Sequence, residues 1–312
     1  MLLDSSPDAL VLTGPTASGK SALGIELAER LSAEIISMDS MAIYRGMDIG
    51  TAKPSPEQRM RVPHHLIDVL DPWESGSVAW WLKNAEVAAN RIASRGKRVL
   101  FVGGTPLYLK ALLYGLFEGP AAEPDLRRRL AEEARSRGQA WLFQRLQQVD
   151  PTTARRVHVN DLKRIIRALE VWELTGTPIS SLQKEWVAEA QAQYAERVVE
   201  TRVLWLDLPR DELYARIDRR VEGMFAAGFV DEVRALLAKP RPLSREASYA
   251  LGYKEIMDHV NGKLSLEDSV LCIQKRSRHF AKRQITWFRH LPRGRPITRE
   301  LTFPAWGLKM EV

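Results

Sequence analysis

The chain predicts an α/β fold, a doubly wound parallel sheet interrupted once by an all-helical segment. Three observations predict it. Short apolar runs alternate with helical patterns through the first third of the sequence. Near Phe117 the alternation stops, and only helical periodicity continues to about Arg197. At Thr201 a strand pattern returns, so the helical stretch lies inside the sheet domain rather than after it.

The elements follow in order. Ala9–Thr13 is a buried strand, followed by a glycine-rich turn and a helix beginning near Lys20 with Leu23, Ile25, Leu27 and Leu31 on its apolar side. Ile35–Met38, His65–Val69 and Val99–Val102 are the next strand candidates. Gly119–Pro124 reads as a linker. Beyond it, Leu126, Leu130, Ala131 and Ala134 show helical spacing. Val203–Leu208 restores the sheet, and Leu213, Ile217, Val221 and Met224 mark the helix after Pro209. The expected division is a core of residues 1–117 and 198–312 with a helical insertion of residues 118–197. The tail after Pro292 has no readable fold.

The turn between the first strand and helix is Gly14-Pro15-Thr16-Ala17-Ser18-Gly19-Lys20-Ser21, a G-x-x-x-x-G-K-[ST] loop in its proper setting. Its glycines let successive backbone N–H groups point at phosphate oxygens, and Lys20 adds charge. The Ser21 hydroxyl can ligate Mg²⁺, and the helix N-terminus contributes partial positive charge. The fold is therefore expected to be P-loop NTPase-like, and the ligand a polyphosphate or diphosphate. A second strand-end residue, Asp39, faces the same crevice, because carboxyl ends of neighbouring strands open together. Val99–Val102 runs into Gly103-Gly104-Thr105 with no acid for Mg²⁺, and no N-K-x-D pattern is present. Both omissions argue against a routine ATPase or GTPase.

Composition narrows the setting. No apolar run approaches a membrane span, and Met1–Ser6 lacks a signal-peptide pattern. The single cysteine, Cys272, excludes an internal disulfide and a multi-cysteine zinc site, which fits the cytoplasm. The net charge of +7 is concentrated: between Cys272 and Arg295 stand eight Lys or Arg and no Asp or Glu. On a helix, Lys275, Arg278, Lys282 and Arg289 form one stripe and Ile273, Phe280 and Phe288 the opposite side, giving a face for the core and a face for phosphates. Gln284 projects to the apolar side, where it either bonds a backbone group or meets nucleic acid.

The stretches Gly14–Ser21, Asp39–Pro54, Val102–Tyr108, Arg164–Glu170, Arg216–Arg220, Gly252-Tyr253 and Lys282–Trp287 resemble, in order, those of the tRNA dimethylallyltransferases, in the bacterial form without a zinc finger. The resemblance implies transfer of a dimethylallyl group from dimethylallyl diphosphate to the exocyclic amine of the adenosine 3′ of the anticodon, in tRNAs reading codons that begin with U. It implies Asp39 as general base, Thr105 in the channel wall and Arg220, rather than Arg216 or Arg219, beside the diphosphate. Gly14, Thr16, Ala17, Ser18, Gly19, Lys20 and Ser21 would hold the diphosphate with Mg²⁺. Contacts to tRNA would come from Asp39, Ser40, Met41 and Ala42, from Arg127, Lys163, Arg164 and Arg167, and from Gly252 and Tyr253. Arg278, Lys282, Arg283, Gln284 and Trp287 would complete them. Ala42 departs from the pattern: many relatives carry Gln there, and Ala cannot hydrogen-bond through its side chain. A monomer without membrane attachment is expected. Rival readings are a nucleotide or small-molecule kinase using arginines such as Arg127 and Arg128, a transferase acting on free adenylate, and a non-catalytic RNA-binding protein.

Overall fold

The computed structural model describes residues 6, 8–116, 119–183, 202–290 and 295–306. The readings made at Met1–Ser5, Arg293 and the two ends of the insertion lie outside the described residues. The chain divides into two compact units, Met1–Leu113 with Val199–Val312, and Tyr114–Val198. Among the described residues no helix is long and apolar enough to cross a membrane.

The larger unit carries a six-stranded sheet in the order β3-β2-β4-β1-β5-β6. Its strands are β1 (Leu10–Thr13), β2 (Ala33–Ser37), β3 (His64–His65), β4 (Arg98–Gly103), β5 (Val203–Leu206) and β6 (Arg295–Ile297). All pairings are parallel, with Val11 registered between Phe101 and Val203. The chain leaves β1 toward β2 on one side and returns through β5 on the other. The carboxyl end of β1 is thus a topological switch point, where such sheets open a crevice. Helix α1 (Lys20–Leu31) covers one face, burying Leu23, Leu27 and Leu31 with Leu12, Leu100 and Leu204. Helix α3 (Val78–Ser94), preceded by the short α2 (Pro56–Arg61), buries Trp81, Ala85, Ala89 and Ile92, and the Trp81 indole donates to the Ser37 carbonyl at 2.9 Å. Helix α4 (Pro106–Tyr114) follows β4 and stacks Tyr108 on Trp81.

The smaller unit contains α5 (Pro124–Arg137), α6 (Gln139–Val149), α7 (Pro151–Ala154) and α8 (Leu162–Thr175) around Leu130, Leu142, Leu146, Ile165 and Leu169. After β5 the larger unit continues with α9 (Arg210–Ala226), α10 (Phe229–Leu237), α11 (Arg245–Ser248), α12 (Tyr253–Val260), α13 (Leu266–Arg289), β6 and α14 (Arg299–Ala305). Phe229, Val233, Tyr253 and Ile273 form a second core with Ile43, Tyr44 and Met47 from the loop after β2.

Three elements differ from the sequence expectation. The third strand is only His64–His65, because Leu66 and Asp68 take positive φ values of 61° and 56°. The chain there leaves the sheet, and the Val69 amide donates instead to the Ile43 carbonyl at 2.8 Å. The tail after Pro292 supplies an edge strand, β6, whose Ile297 joins the main core. On α13, Ile273 and Phe288 are buried as expected, but Phe280 is half-exposed at the crevice.

Candidate active site

The carboxyl ends of β1, β2 and β4 open into a cleft of about 590 Å³. Thr16, Lys20 and Ser21 form one wall, and Asp39, Ser40, Met41, Ala42 and Thr105 another. Arg220 from α9 and Gly252, Tyr253, Arg283 and Gln284 from the C-terminal helices complete it. Of the predicted phosphate-loop residues, Gly14, Ala17, Ser18 and Gly19 shape the loop behind these. Gly19 caps α1 at φ 87°, a left-handed geometry that only glycine adopts without strain. The Ser18 hydroxyl is buried without a partner among the described residues.

Lys and Arg outnumber acids in the cleft lining. The Lys20 ammonium donates to the Pro15 carbonyl at 3.1 Å. Burial and the neighbouring Arg220 charge push its pKa down to about 8, with the Asp39 carboxylate opposing. Lys20 therefore remains largely charged near neutral pH. The Arg220 guanidinium donates to the Thr16 hydroxyl at 3.1 Å and rests against the Thr51 carbonyl at 3.5 Å. Burial lowers its pKa from the usual value, with Asp39 again favouring the charged form. Among the described residues neither cation has a carboxylate within ion-pair distance. Arg216, by contrast, pairs with Glu212 at 2.7 Å, and Arg219 is exposed.

Asp39 is held by its own loop. Its Oδ1 accepts from the amides of Met41 at 2.8 Å and Ala42 at 3.2 Å, which fixes the carboxyl plane. Oδ2 has no hydrogen-bond partner among the described residues. Thr105 adjoins it: its hydroxyl accepts from the Ser40 amide at 3.2 Å, and its amide donates to the Met38 carbonyl at 3.2 Å.

Gln284 lies 2 % exposed between two loops. Its Oε1 accepts from the Thr16 amide at 2.8 Å and its Nε2 donates to the Gly104 carbonyl at 2.6 Å. The side chain is thus committed to backbone, tying the phosphate loop to the end of β4. A Cβ at Gly104 would lie 2.8 Å from that Nε2 and 2.9 Å from the Gly14 carbonyl oxygen. No acidic side chain fits at that strand end. Among the described residues no group of three or more His, Cys, Asp or Glu could hold a metal ion. A cation here would take the Ser21 hydroxyl and otherwise ligand and water oxygens, a donor set that suits Mg²⁺.

Further predicted residues belong to the smaller unit and to α13. In the smaller unit, Arg127 and Arg167 both bond Glu170, which is fully buried, at 2.8 Å and 2.6 Å. Arg164 is exposed and pairs with Asp161, and Lys163 is exposed. On α13, Arg278 pairs with Asp218, whereas Lys282 faces a second hollow with Arg289. Trp287 packs edge-on against Phe288. Sequence reasoning missed Thr51 and His64, which also line the cleft, and Glu232, which braces its wall. The Asp39–Pro54 run pointed to Thr51. Nothing in sequence distinguished Glu232 from any acid in a first helical turn.

The family model described as IPP transferase matches residues 42–291, and that described as isopentenyl transferase matches residues 7–64. The chain is 46% identical over 286 residues to tRNA dimethylallyltransferase 1 of Trichlorobacter lovleyi, covering 92% of each chain. It is 48% identical over 282 residues to tRNA dimethylallyltransferase 1 of Pelobacter propionicus, covering 90% of this chain and 89% of the relative. Among solved structures, the full-length tRNA isopentenylpyrophosphate transferase of Bacillus halodurans superposes with a TM-score of 0.66 at 38% identity, covering 94% of this chain and 90% of that one. A eukaryotic dimethylallyltransferase acting on tRNA gives a TM-score of 0.68 at 28% identity, over 90% and 70%. With the phosphate loop, Asp39 and the arginine of α9 converging on one cleft, the chain belongs to the IPP transferase family, that of the tRNA dimethylallyltransferases.

Proposed function

We propose that the protein transfers the dimethylallyl group of dimethylallyl diphosphate to the exocyclic amine of the adenosine 3′ of the anticodon, in tRNAs reading codons that begin with U, releasing diphosphate. The observation that carries this reading is one cleft in which Lys20 and Arg220, without an ion-pair partner among the described residues, face a fixed carboxylate, Asp39. The amine lone pair attacks the allylic carbon as the carbon–oxygen bond breaks, and the bonding electrons leave on the diphosphate. Asp39 orients the amine and takes its proton on Oδ2, the oxygen its loop leaves free. Lys20, Arg220 and the loop amides stabilise the charge developing on the leaving group, and the Thr105 hydroxyl supports the wall beside it. Mg²⁺, when bound through Ser21, would add its own charge to that stabilisation.

The crowded end of β4 favours this reading over a kinase, which would want an acid there for its metal. We further propose that the target base leaves its stack to reach the cleft. Ser40, Met41, Gly252, Tyr253 and Arg283 would line its path. The exposed Lys275, Lys282 and Arg289 of α13, with Arg164 and Lys163 of the insertion, would meet the tRNA backbone. Ala42 offers the base no side-chain hydrogen bond. The enzyme is expected to act as a monomer in the cytoplasm.

The test offers labelled dimethylallyl diphosphate and Mg²⁺ with tRNA, with AMP or with no acceptor. Label entering tRNA, with stoichiometric diphosphate, supports the proposal. Label entering AMP alone would make the protein a free-adenylate transferase, and nucleotide turnover without a prenyl donor would make it a kinase.

A further inference from the structure

The segment from Asp48 to Ala52, whose Gly50, Thr51 and Ala52 line the cleft, is irregular backbone, with Ala52 at φ 48°. Such a segment lacks the hydrogen-bond ladder of a strand, so its amides need partners from elsewhere. One side chain supplies them. Glu232, in the first turn of α10, accepts through Oε2 from the amides of Asp48 at 2.9 Å and Ile49 at 2.7 Å. Through Oε1 it accepts from the Gly50 amide at 3.3 Å and the Tyr253 hydroxyl at 2.7 Å. Helix α10 does not depend on this carboxylate for its own packing, because Phe229, Val233 and Leu236 already bury its apolar side. The braced amides lead directly into Thr51, whose carbonyl meets Arg220.

We propose that Glu232 is a positioning residue for the transfer reaction: by fixing the Asp48–Gly50 backbone it sets the Thr51 carbonyl, and through it aims Arg220 at the diphosphate. The route rests on the reading of Arg220 given above. A carboxylate suits the role because four donors converge on it, and a hydrogen bond to a charged acceptor is about twice as strong as a neutral one.

The substitution Glu232→Gln tests it. A carboxamide has one acceptor oxygen, so with that oxygen toward Asp48 and Ile49 its NH₂ confronts the Gly50 amide, donor against donor. Single-turnover transfer at saturating donor and tRNA should fall roughly tenfold or more, since ångström-scale misplacement of a reacting group carries losses of that order. Affinity for tRNA should stay unchanged. Asp231→Asn, which removes a neighbouring exposed acid paired with Arg234, should leave the rate as it is. The decisive measurement is the double-mutant cycle. In an Arg220→Ala background, Glu232→Gln should cost less than about twofold, because its effect runs through the missing guanidinium. Full additivity of the two losses, or a wild-type rate for Glu232→Gln alone, would overturn the proposal. An Arg220→Ala variant with normal transfer would instead overturn the reading of Arg220 itself. Should Glu232→Gln fail to fold, Tyr253→Phe removes one of the four donors and carries the same cycle at smaller amplitude, about threefold.

Discussion

Two groups of arginine and lysine in this molecule look alike in sequence and differ in structure. In the cleft, Lys20 and Arg220 are enclosed and, among the described residues, bond neutral oxygens, those of Pro15, Thr16 and Thr51. In the helical unit, Arg127 and Arg167 grip the buried Glu170, whose carboxyl they hold below the usual range against the cost of its burial. An enclosed cation without a counter-ion is costly unless a ligand supplies one; a cation with a buried acid already has its partner. The contrast recurs along α13. There Arg276 and Arg278 are paired with Glu255 and Asp218, while Lys275, Lys282 and Arg289 are exposed and have no partner among the described residues. Pairing, not abundance, separates the two kinds of cation.

The sharpest way to strain this contrast is to remove the acid that faces the cleft cations. Asp39→Ala should slow single-turnover transfer by roughly 10²–10⁴-fold, the usual contribution of a positioned acid–base group, with much less effect on tRNA affinity. Near-normal transfer at saturating substrates would remove Asp39 as the base.

A smaller effect is expected from the paired group. Arg127→Ala leaves Glu170 with Arg167 as its remaining ion-pair partner. It should lower stability by about 1–2 kcal/mol, less than a fully buried pair because Arg127 is 42% exposed. Thermal unfolding checks this. Donor binding should be unaffected, and a parallel loss of donor affinity would contradict the division drawn here.

On α13, replacing Lys275, Lys282 and Arg289 together by Glu should flatten the dependence of log K for tRNA on log salt. The slope should fall by roughly 2 to 3, given about 0.7–0.9 of a unit for each of the three phosphates that these cations would neutralise. Reversing Arg278, already paired with Asp218, should change it little.

The smallest effect is on pH. Lys20 titrates near 8 in the free cleft, and a bound diphosphate favours its charged form. Donor binding should therefore take up a proton above pH 8, and affinity should decline as pH rises through that value. For folding alone the sign is opposite. Charged Lys20 is penalised by burial, so its contribution to stability improves as pH rises from about 8 toward the ordinary lysine value of 10.5. Lys20→Arg should abolish the decline in binding. Calorimetric titration from about pH 7 to about pH 9.5, in two buffers of different ionisation enthalpy, would measure the proton uptake.

Much of this site was legible because it is local. The phosphate loop lies between an apolar strand and an amphipathic helix, and each of those features is written in consecutive residues. Asp39 was legible for the same reason, as the first polar group past a buried strand. What escaped depends on partners distant in sequence. The segment after His65 has an apolar pattern suited to a strand, but its amides pair with the loop after β2, and Lys53 anchors that arrangement on Asp48 and Asp68 at 2.6 Å each. Gln284 reads as an amide on an apolar face, and its meaning appears only when Thr16 and Gly104 arrive from the other end of the chain. Glu232 carries no local mark at all, since its donors lie more than 180 residues away apart from Tyr253.

The contrast between awaiting and paired cations is tested most directly by titrating dimethylallyl diphosphate, with Mg²⁺ and without tRNA, into Arg220→Ala, Arg219→Ala and Arg127→Ala proteins. Loss of a charge-assisted hydrogen bond in the cleft should weaken binding to Arg220→Ala by roughly 10- to 100-fold. The other two should bind as the unaltered protein does. Equal losses in Arg220→Ala and Arg219→Ala, or a loss confined to Arg127→Ala, would contradict the account.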